Sequence, residues 1–502
     1  MTKKKFFIQG IILTLISFFL RATNIFYRSY LSSKIGPDGM GLYQLIISVF
    51  LLAVTLSTSG ISLAVTRMVS SAIAKGERGK IGSIVFRCFM FCLSLSGIIS
   101  ILLVVFSDFA AEFLLGNPNA ASCLRILGIG LPFMSMCTCM KGYFLAVDEG
   151  VSSGVADTLE QLLTIGATIV IFNIFAVQSI EAACIGAVVA STLGEIISFA
   201  WNIFAYRRSL KRNSHGEKEK GGGVLYGLTH IALPCTLSSA ARSLLSTGEN
   251  LLIPIELQKG GSSYKSAMTS YGLLQGMAAP ILYFPSAFLS SFAFLLIPKI
   301  SSEREVNHKR HVTYMAERAI SASLTFGVIT AAIFFAFGND CGTAFYGSPE
   351  AGAFIRILSP LVPLMYLDVV VDNLLKGLDQ QVNSMKYNMI DAGIRVLLVL
   401  LLLKDFGINA YIAIIFFSTI FNAGLSIGKV ITVSSLPMRF LKKLIYQLPL
   451  AAVSVIAAGT LAGSMMISGP IMPLVFKAAV SIGIFLSGCH IMNKIFPLEK
   501  KE

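Results

Sequence analysis

GNPNAASCLRILGIGLPFMSMCTCMKGYFLAVD, residues 116–148, returns in altered form as GSPEAGAFIRILSPLVPLMYLDVVVDNLLKGLD, residues 347–379. At a constant offset of 231 residues, nine positions are identical: Gly116/Gly347, Pro118/Pro349, Ala120/Ala351, Arg125/Arg356, Ile126/Ile357, Leu127/Leu358, Pro132/Pro363, Met134/Met365 and Asp148/Asp379. Hydrophobic composition alone does not put Arg, Pro and Asp in register, so the chain carries two copies of one unit. Glu160 and Asp391 also fall opposite one another at this offset.

The medium of the repeat follows from composition. Of 502 residues, 55% are hydrophobic and only 13% charged, against about 25% charged in a soluble domain. Mean hydropathy is +0.76. These values exclude a soluble enzyme, a disordered regulator and a fibrous protein. A bilayer core takes about 20 apolar residues per helix. About fourteen such runs follow one another, from residues 6–27 to 470–492. They are too long for strands and lack a period of two, so they read as helices. Lys3, Lys4 and Lys5 precede the first run as in a signal peptide, but no small-residue cleavage site follows, and it reads as a retained span.

The repeat offset equals about six spans, an even number, so both copies enter the membrane in the same orientation. The expected fold is an all-α polytopic membrane protein of about fourteen transmembrane helices, in two six-helix lobes plus two C-terminal helices. The boundaries expected are an N-lobe over 1–205, a charged, Gly-rich linker over 206–223 (YRRSLKRNSHGEKEKGGG), a C-lobe over 224–434, and the last two spans with a tail over 435–502.

Basic residues orient the chain. With the N-terminus inside, the inner loops hold Lys75, Arg78 and Lys80; Arg207, Arg208, Lys211 and Arg212; Lys299, Arg304, Lys309 and Arg310; and Arg439, Lys442 and Lys443. About 24 basic residues then lie inside against about 4 outside, and the net charge of +14 reflects topology rather than nucleic-acid binding. Both termini are expected in the cytoplasm. The nine scattered cysteines form no disulfide framework and read as packing residues, and no HExxH, P-loop or GxSxG motif marks an enzyme.

Charges inside spans are costly, and mark a cavity, a partner or a pathway. Arg21, Asn24 and Arg28 lie at i, i+3 and i+7, on one face of the first span. Arg67 lies late in the second. Ser239, Arg242, Ser246 and Glu249 form a similar stripe on the seventh, the first helix of the second copy. Arginines in a wet, low-dielectric cleft between two lobes bind anions, because guanidinium forks match phosphate oxygens. The ligand class expected is an anionic headgroup, phosphate or pyrophosphate. Arg125 and Arg356, at the ends of their spans, read as structural. Among the acids, Asp372 with Lys376 and Asp391 with Arg395 have the i,i+4 spacing of neutralising pairs. Glu160, Glu195 and Glu249 have no such local partner, and are candidates for coupling to protons, Na+ or the membrane potential. No other cofactor and no metal is expected.

KIGPDGMGLYQLIISV (34–49), GISLAVTRMVSSAIAKGE (60–77) and LGNPNAASCLRILGIGLPF (115–133) resemble the stage V sporulation protein B family. That family belongs to the oligosaccharide flippases of the multidrug/oligosaccharidyl-lipid/polysaccharide exporter superfamily. The resemblance covers nearly the whole chain. It implies translocation of a polyprenyl-pyrophosphate-linked saccharide, a lipid II-like cell-wall precursor, from the inner to the outer leaflet, with no bond broken. Membrane lipids and envelope-synthesis enzymes are the implied further partners. The related MurJ-type flippases use cavity arginines, and Arg21, Arg28 and Arg67 occupy comparable places; Arg242 and Lys265 compete for the position on the second lobe. The two helices beyond the repeat also resemble the MurJ-type arrangement. The alternatives are a cation-coupled multidrug exporter, which favours acids and aromatics in the cleft, and a non-transporting scaffold for envelope synthesis.

Overall fold

The GPDG turn at residues 36–39 and the glycine at 407 each break a long apolar helix where the sequence leaves a polar gap between two spans. In the computed structural model, which describes residues 3–174, 179–213, 224–306, 308–434, 439–463, 469 and 471–495, every regular element among the described residues is helical. In chain order these are α1 (Lys3–Thr58), α2 (Ile61–Ala74), α3 (Ile81–Val105), α4 (Ser107–Phe109), α5 (Ala120–Ala146), α6 (Gly150–Ile174), α7 (Ile180–Asn213) and α8 (Val224–Lys259). Then come α9 (Tyr264–Tyr271), α10 (Ala279–Tyr283), α11 (Ser286–Glu305), α12 (Lys309–Tyr346), α13 (Pro349–Leu358), α14 (Val362–Gly377), α15 (Gln381–Ser434), α16 (Arg439–Gly463) and α17 (Met472–Ile495).

Ten helical stretches among the described residues are long and apolar enough to cross a membrane. Two of them hold more than one span. α1 is interrupted at Gly36 (φ 68°, ψ −178°) and α15 at Gly407 (φ 61°, ψ −148°), backbone conformations that side chains other than hydrogen disfavour. Pro37 restarts the helix at its first position, where its missing N–H costs nothing. α8 and the series α9–α11 account for the two remaining runs, so the architecture is compatible with fourteen crossings. Helices outrun the apolar stretches: the second run continues past Gly60 as α2, and α7 runs to Asn213 because Arg207, Arg208, Lys211 and Arg212 are good helix formers. The rest of the expected linker, 214–223, lies outside the described residues.

Contacts divide the chain into two units, Met1–Tyr27 with Lys34–Leu251, and Arg28–Ser33 with Leu252–Glu502. In the first, α5 packs against α2, α3 and α7, and α6 against α7. Its core buries Ile61, Val65, Val69, Cys88, Tyr143 and Phe144. α2 and α5 approach closely at Gly142, where a Cβ would sit 2.6 Å from the Ser62 carbonyl oxygen. Residues 232–250 of α8 join this unit: Thr236 Oγ1 donates to Ser59 O (2.6 Å), and Asn250 Nδ2 to Ser48 Oγ (3.0 Å). In the second unit, α12 packs on α13, α14 and α16, and α14 on α11 and α15, around Ile300, Ile320, Val371, Leu374 and Val430.

The two repeat copies share backbone detail. Gly116 and Gly347 both have φ 63°, and Asp148 and Asp379 have φ 58° and 56°. Those two aspartates are the non-glycine residues with positive φ among the described residues, so each copy starts and ends on the same left-handed turn. The copies differ between these turns. α5 runs unbroken, whereas a 3-10 turn over Ser359–Leu361 separates α13 from α14. Pro360, opposite Ile129, removes the N–H that would continue the helix.

Candidate functional site

The first span is helical throughout the stripe that carries Arg21, Asn24 and Arg28, so the three share a face as the spacing requires. Arg21 is accessible; Asn24 and Arg28 are half-buried. Arg28 belongs to the second unit, where its Nη1 donates to the carbonyl of Gly276 (3.3 Å). Gly276 sits in a π-helical stretch, Gly272–Ala278, between α9 and α10. A π turn shifts the i→i−4 ladder and leaves carbonyls open to outside donors. Ser29 Oγ, on the same helix, donates to Phe345 O.

Arg67 projects accessibly from α2, one residue after Thr66, whose hydroxyl donates to Gly142 O (2.9 Å) and holds α2 on α5. Arg242 projects accessibly from α8. α8 meets the start of α2 at Gly60, where a Cβ would lie 2.7 Å from Ala232 O. Among the described residues, the guanidinium groups of Arg21, Arg67 and Arg242 make no ion pair or hydrogen bond, and all three belong to the first unit. Lys265 lies in the second unit, accessible in the first turn of α9, which Ser263 caps by accepting from Ser266 N (3.2 Å).

The acids gather into one polar cluster per unit. In the first, Lys141 Nζ of α5 meets Asp157 Oδ1 of α6 at 2.7 Å. Glu160, one turn along α6, lies within electrostatic reach of both. Glu195 of α7 is 5% exposed, and its Oε2 has no hydrogen-bond partner among the described residues. It fits because Gly130 of α5 has no side chain: a Cβ there would lie 2.6 Å from that oxygen. Glu249 is elsewhere on α8, buried and engaged with its surroundings. Thus Glu160 and Glu195 come together, while Glu249 lies on a different helix.

In the second unit, Ser418 Oγ donates to Asp391 Oδ1 (2.7 Å), and Arg395 Nε lies 3.5 Å from Asp391 Oδ2. Lys376 lies 3.6 Å from Asp372, which also accepts from Ser384. Both i,i+4 pairs expected from spacing therefore form. Asn422 Nδ2 donates to Asn388 Oδ1 (3.1 Å) and lies 3.5 Å from both oxygens of Asp368. At the repeat offset, Lys141 corresponds to Asp372, Asp157 to Asn388, and Glu160 to Asp391. The repeat preserves a polar position and changes its charge. Sequence reasoning missed Lys141 and Asp157. The available signal was Lys141 itself, a lone cation in an otherwise uncharged stretch between Arg125 and Asp148.

Residues 7–302 match the family described as polysaccharide biosynthesis protein, more than half of the chain. The chain belongs to that family. As a member of the polysaccharide biosynthesis protein family, it is 27% identical over 410 residues to stage V sporulation protein B of Bacillus subtilis (strain 168), covering 80% of this chain and 78% of that one. It is 22% identical over 358 residues to sporulation protein YkvU of the same organism, covering 70% and 78%. Among solved structures, the family member is similar in fold to the lipid II flippase MurJ in an inward closed conformation (TM-score 0.69, 12% identity, 96% and 99% covered). It also resembles an inward-facing multidrug resistance MATE family transporter of the MOP superfamily (TM-score 0.63, 14% identity, 86% and 98% covered). It is thus a multi-pass membrane protein with a flippase-like transporter fold.

Proposed function

We propose that the protein flips a polyprenyl-pyrophosphate-linked saccharide, a lipid II-like envelope precursor, from the inner to the outer leaflet by alternating access, without catalysing bond cleavage. The observation that carries this reading is the set Arg21, Arg67 and Arg242: three accessible guanidinium groups on α1, α2 and α8 with no protein partner among the described residues, in a chain of the polysaccharide biosynthesis protein family. A permanent cation left unpaired in a membrane segment is stable only if water or an anionic ligand meets it. Asn24, Arg28 and Lys265 are further proposed substrate contacts. Glu160 and Glu195 are the proposed coupling groups, with Glu249 a further candidate. Both termini are proposed to be cytoplasmic in a bacterial cytoplasmic membrane, which predicts that Cys introduced at the half-buried Ser262 reacts with an impermeant label from outside.

The test is binding of a purified polyprenyl-pyrophosphate saccharide to Arg21→Ala, Arg67→Ala and Arg242→Ala, each checked for thermal stability. A hydrogen bond from a charged donor is worth about 1.5–3 kcal/mol, so each variant should bind roughly ten- to a hundredfold more weakly. Lys should rescue partly, keeping charge but losing the fork. Binding at wild-type strength in all three would remove the cationic site. The second reading, a cation-coupled multidrug exporter, is favoured by the acid clusters around Glu160 and Asp391 and by the MATE-like fold. It predicts transport of cationic compounds that survives loss of the three arginines.

A further inference from the structure

The repeat-equivalent arginines have different surroundings. Arg125 is neutralised: its Nη2 donates to Asp108 Oδ1 (2.7 Å) and its Nε to Ser107 Oγ (3.0 Å). The stretch before the second copy reads FGNDCGTAFYG (337–347) against FSDFAAEFLLG (106–116). Gly338 and Asn339 therefore stand where Ser107 and Asp108 stand in the first copy. The next acid, Asp340, is held by Lys477 of α17 at 2.6 Å. Arg356 consequently has no ion pair among the described residues. Its guanidinium carbon lies 5.1 Å from the centre of the Phe335 ring, and its side chain is accessible.

Arg356 also lines a cavity of about 570 Å³ between α12, α13–α14 and α16. The walls are otherwise apolar over most of their length, with Val328, Phe335, Pro360, Leu448 and Val455 among them. α16 lies beyond the repeat, so the wall that closes this groove has no counterpart in the first copy. α12 and most of α16 are long and apolar enough to cross a membrane.

We propose that this groove binds an anionic membrane phospholipid, with the phosphate on Arg356 and one acyl chain along α12 and α16. Each part of the ligand answers a feature of the site. A guanidinium without a carboxylate calls for an anion, and its fork fits phosphate oxygens. An apolar groove of this volume, within the range of about 300–1,000 Å³ usual for ligand sites, has nothing to offer a water-soluble anion beyond that one charge. A hydrocarbon chain fills it. Basic positions between membrane helices take lipid headgroups on the same physical grounds. This site is independent of the proposed transport site, since none of its residues belongs to that site.

The test is native mass spectrometry of the full chain released from vesicles of phosphatidylglycerol mixed with phosphatidylcholine. The wild type should retain phosphatidylglycerol selectively. Arg356→Gln should lower that retention about tenfold, and Ala452→Phe should lower it as well, by filling the groove while leaving the charge. Arg125→Gln, at the neutralised copy, should retain the lipid as the wild type does. Added phosphatidylglycerol should raise the melting temperature of the wild type and not that of Arg356→Gln. Equal retention by Arg356→Gln, equal retention of phosphatidylcholine, or displacement of the lipid by inorganic phosphate would each overturn the proposal.

Discussion

Replacing Lys141 by Met tests whether the first-unit cluster is a coupled set of charges. Lys141 and Asp157 are 2.7 Å apart with side chains 35% and 33% exposed. At an effective dielectric of about 20, charges at this distance attract by about 6 kcal/mol, most of it offset by the desolvation of both ions. Removing one partner of a fully buried pair costs about 3–5 kcal/mol. With a third of each side chain accessible, about 2 kcal/mol is the reasonable expectation. The loss should not be intrinsic to position 141. Lys141→Met leaves the Asp157 charge uncompensated beside Glu160, so Asp157→Asn in the same chain should recover at least half of it. The assay is thermal unfolding of purified protein in mild detergent across the four members of the double-mutant cycle. Additive losses, with the double variant as unstable as the sum of the singles, would refute the idea that these charges act as a set. If Glu160 is the coupling group proposed above, Lys141→Met should also shift the pH or Na+ dependence of transport, a readout that stability alone does not move.

Close helix contacts make a second test. A Cβ at Gly342 would lie 2.3 Å from Gly352 N and 2.6 Å from Ser348 O, both backbone, so Gly342→Val should destabilise by about 3 kcal/mol or more, whereas Gly393→Ala, with nothing within 4 Å, should stay within about 0.5 kcal/mol of wild type or gain slightly; unfolding midpoints check both. Asp148→Val and Asp379→Val place a β-branched residue at φ 58° and 56°, and each should cost about 1–2 kcal/mol by the same measurement, with Gly tolerated at either site. Ser348→Ala removes the cap that accepts from Ala351 N (3.2 Å) and should cost about 1 kcal/mol. The same hydroxyl donates to the Glu350 carboxylate (2.8 Å).

Much of the architecture was legible from one-dimensional pattern. Span length is set by bilayer thickness, and backbone groups in lipid must bond within their own segment, so a run of about 20 apolar residues leaves no choice but helix. The repeat was legible because Gly116, Pro118, Arg125 and Asp148 are residues whose backbone or charge demands keep them in place through divergence. The paired glycines at φ 63° and paired aspartates near φ 57° are the physical form of those demands. The i,i+4 ion pairs followed from helix geometry alone.

What only the tertiary structure decided were the relations between residues far apart in the chain. Lys141 and Asp157 are on different helices, and nothing local links them; the packing of α5 on α6 does. Glu195 finds room only because Gly130 of another helix lacks a Cβ. Arg125 and Arg356 are identical in register and looked alike, yet one is neutralised by Asp108 while the other lines an apolar groove closed by α16. Periodicity specifies a helix and its faces, because those depend on neighbours within a turn or two. Whether a charge on such a face meets an acid, a cavity or another backbone depends on which helix packs there, and that is a property of the folded chain.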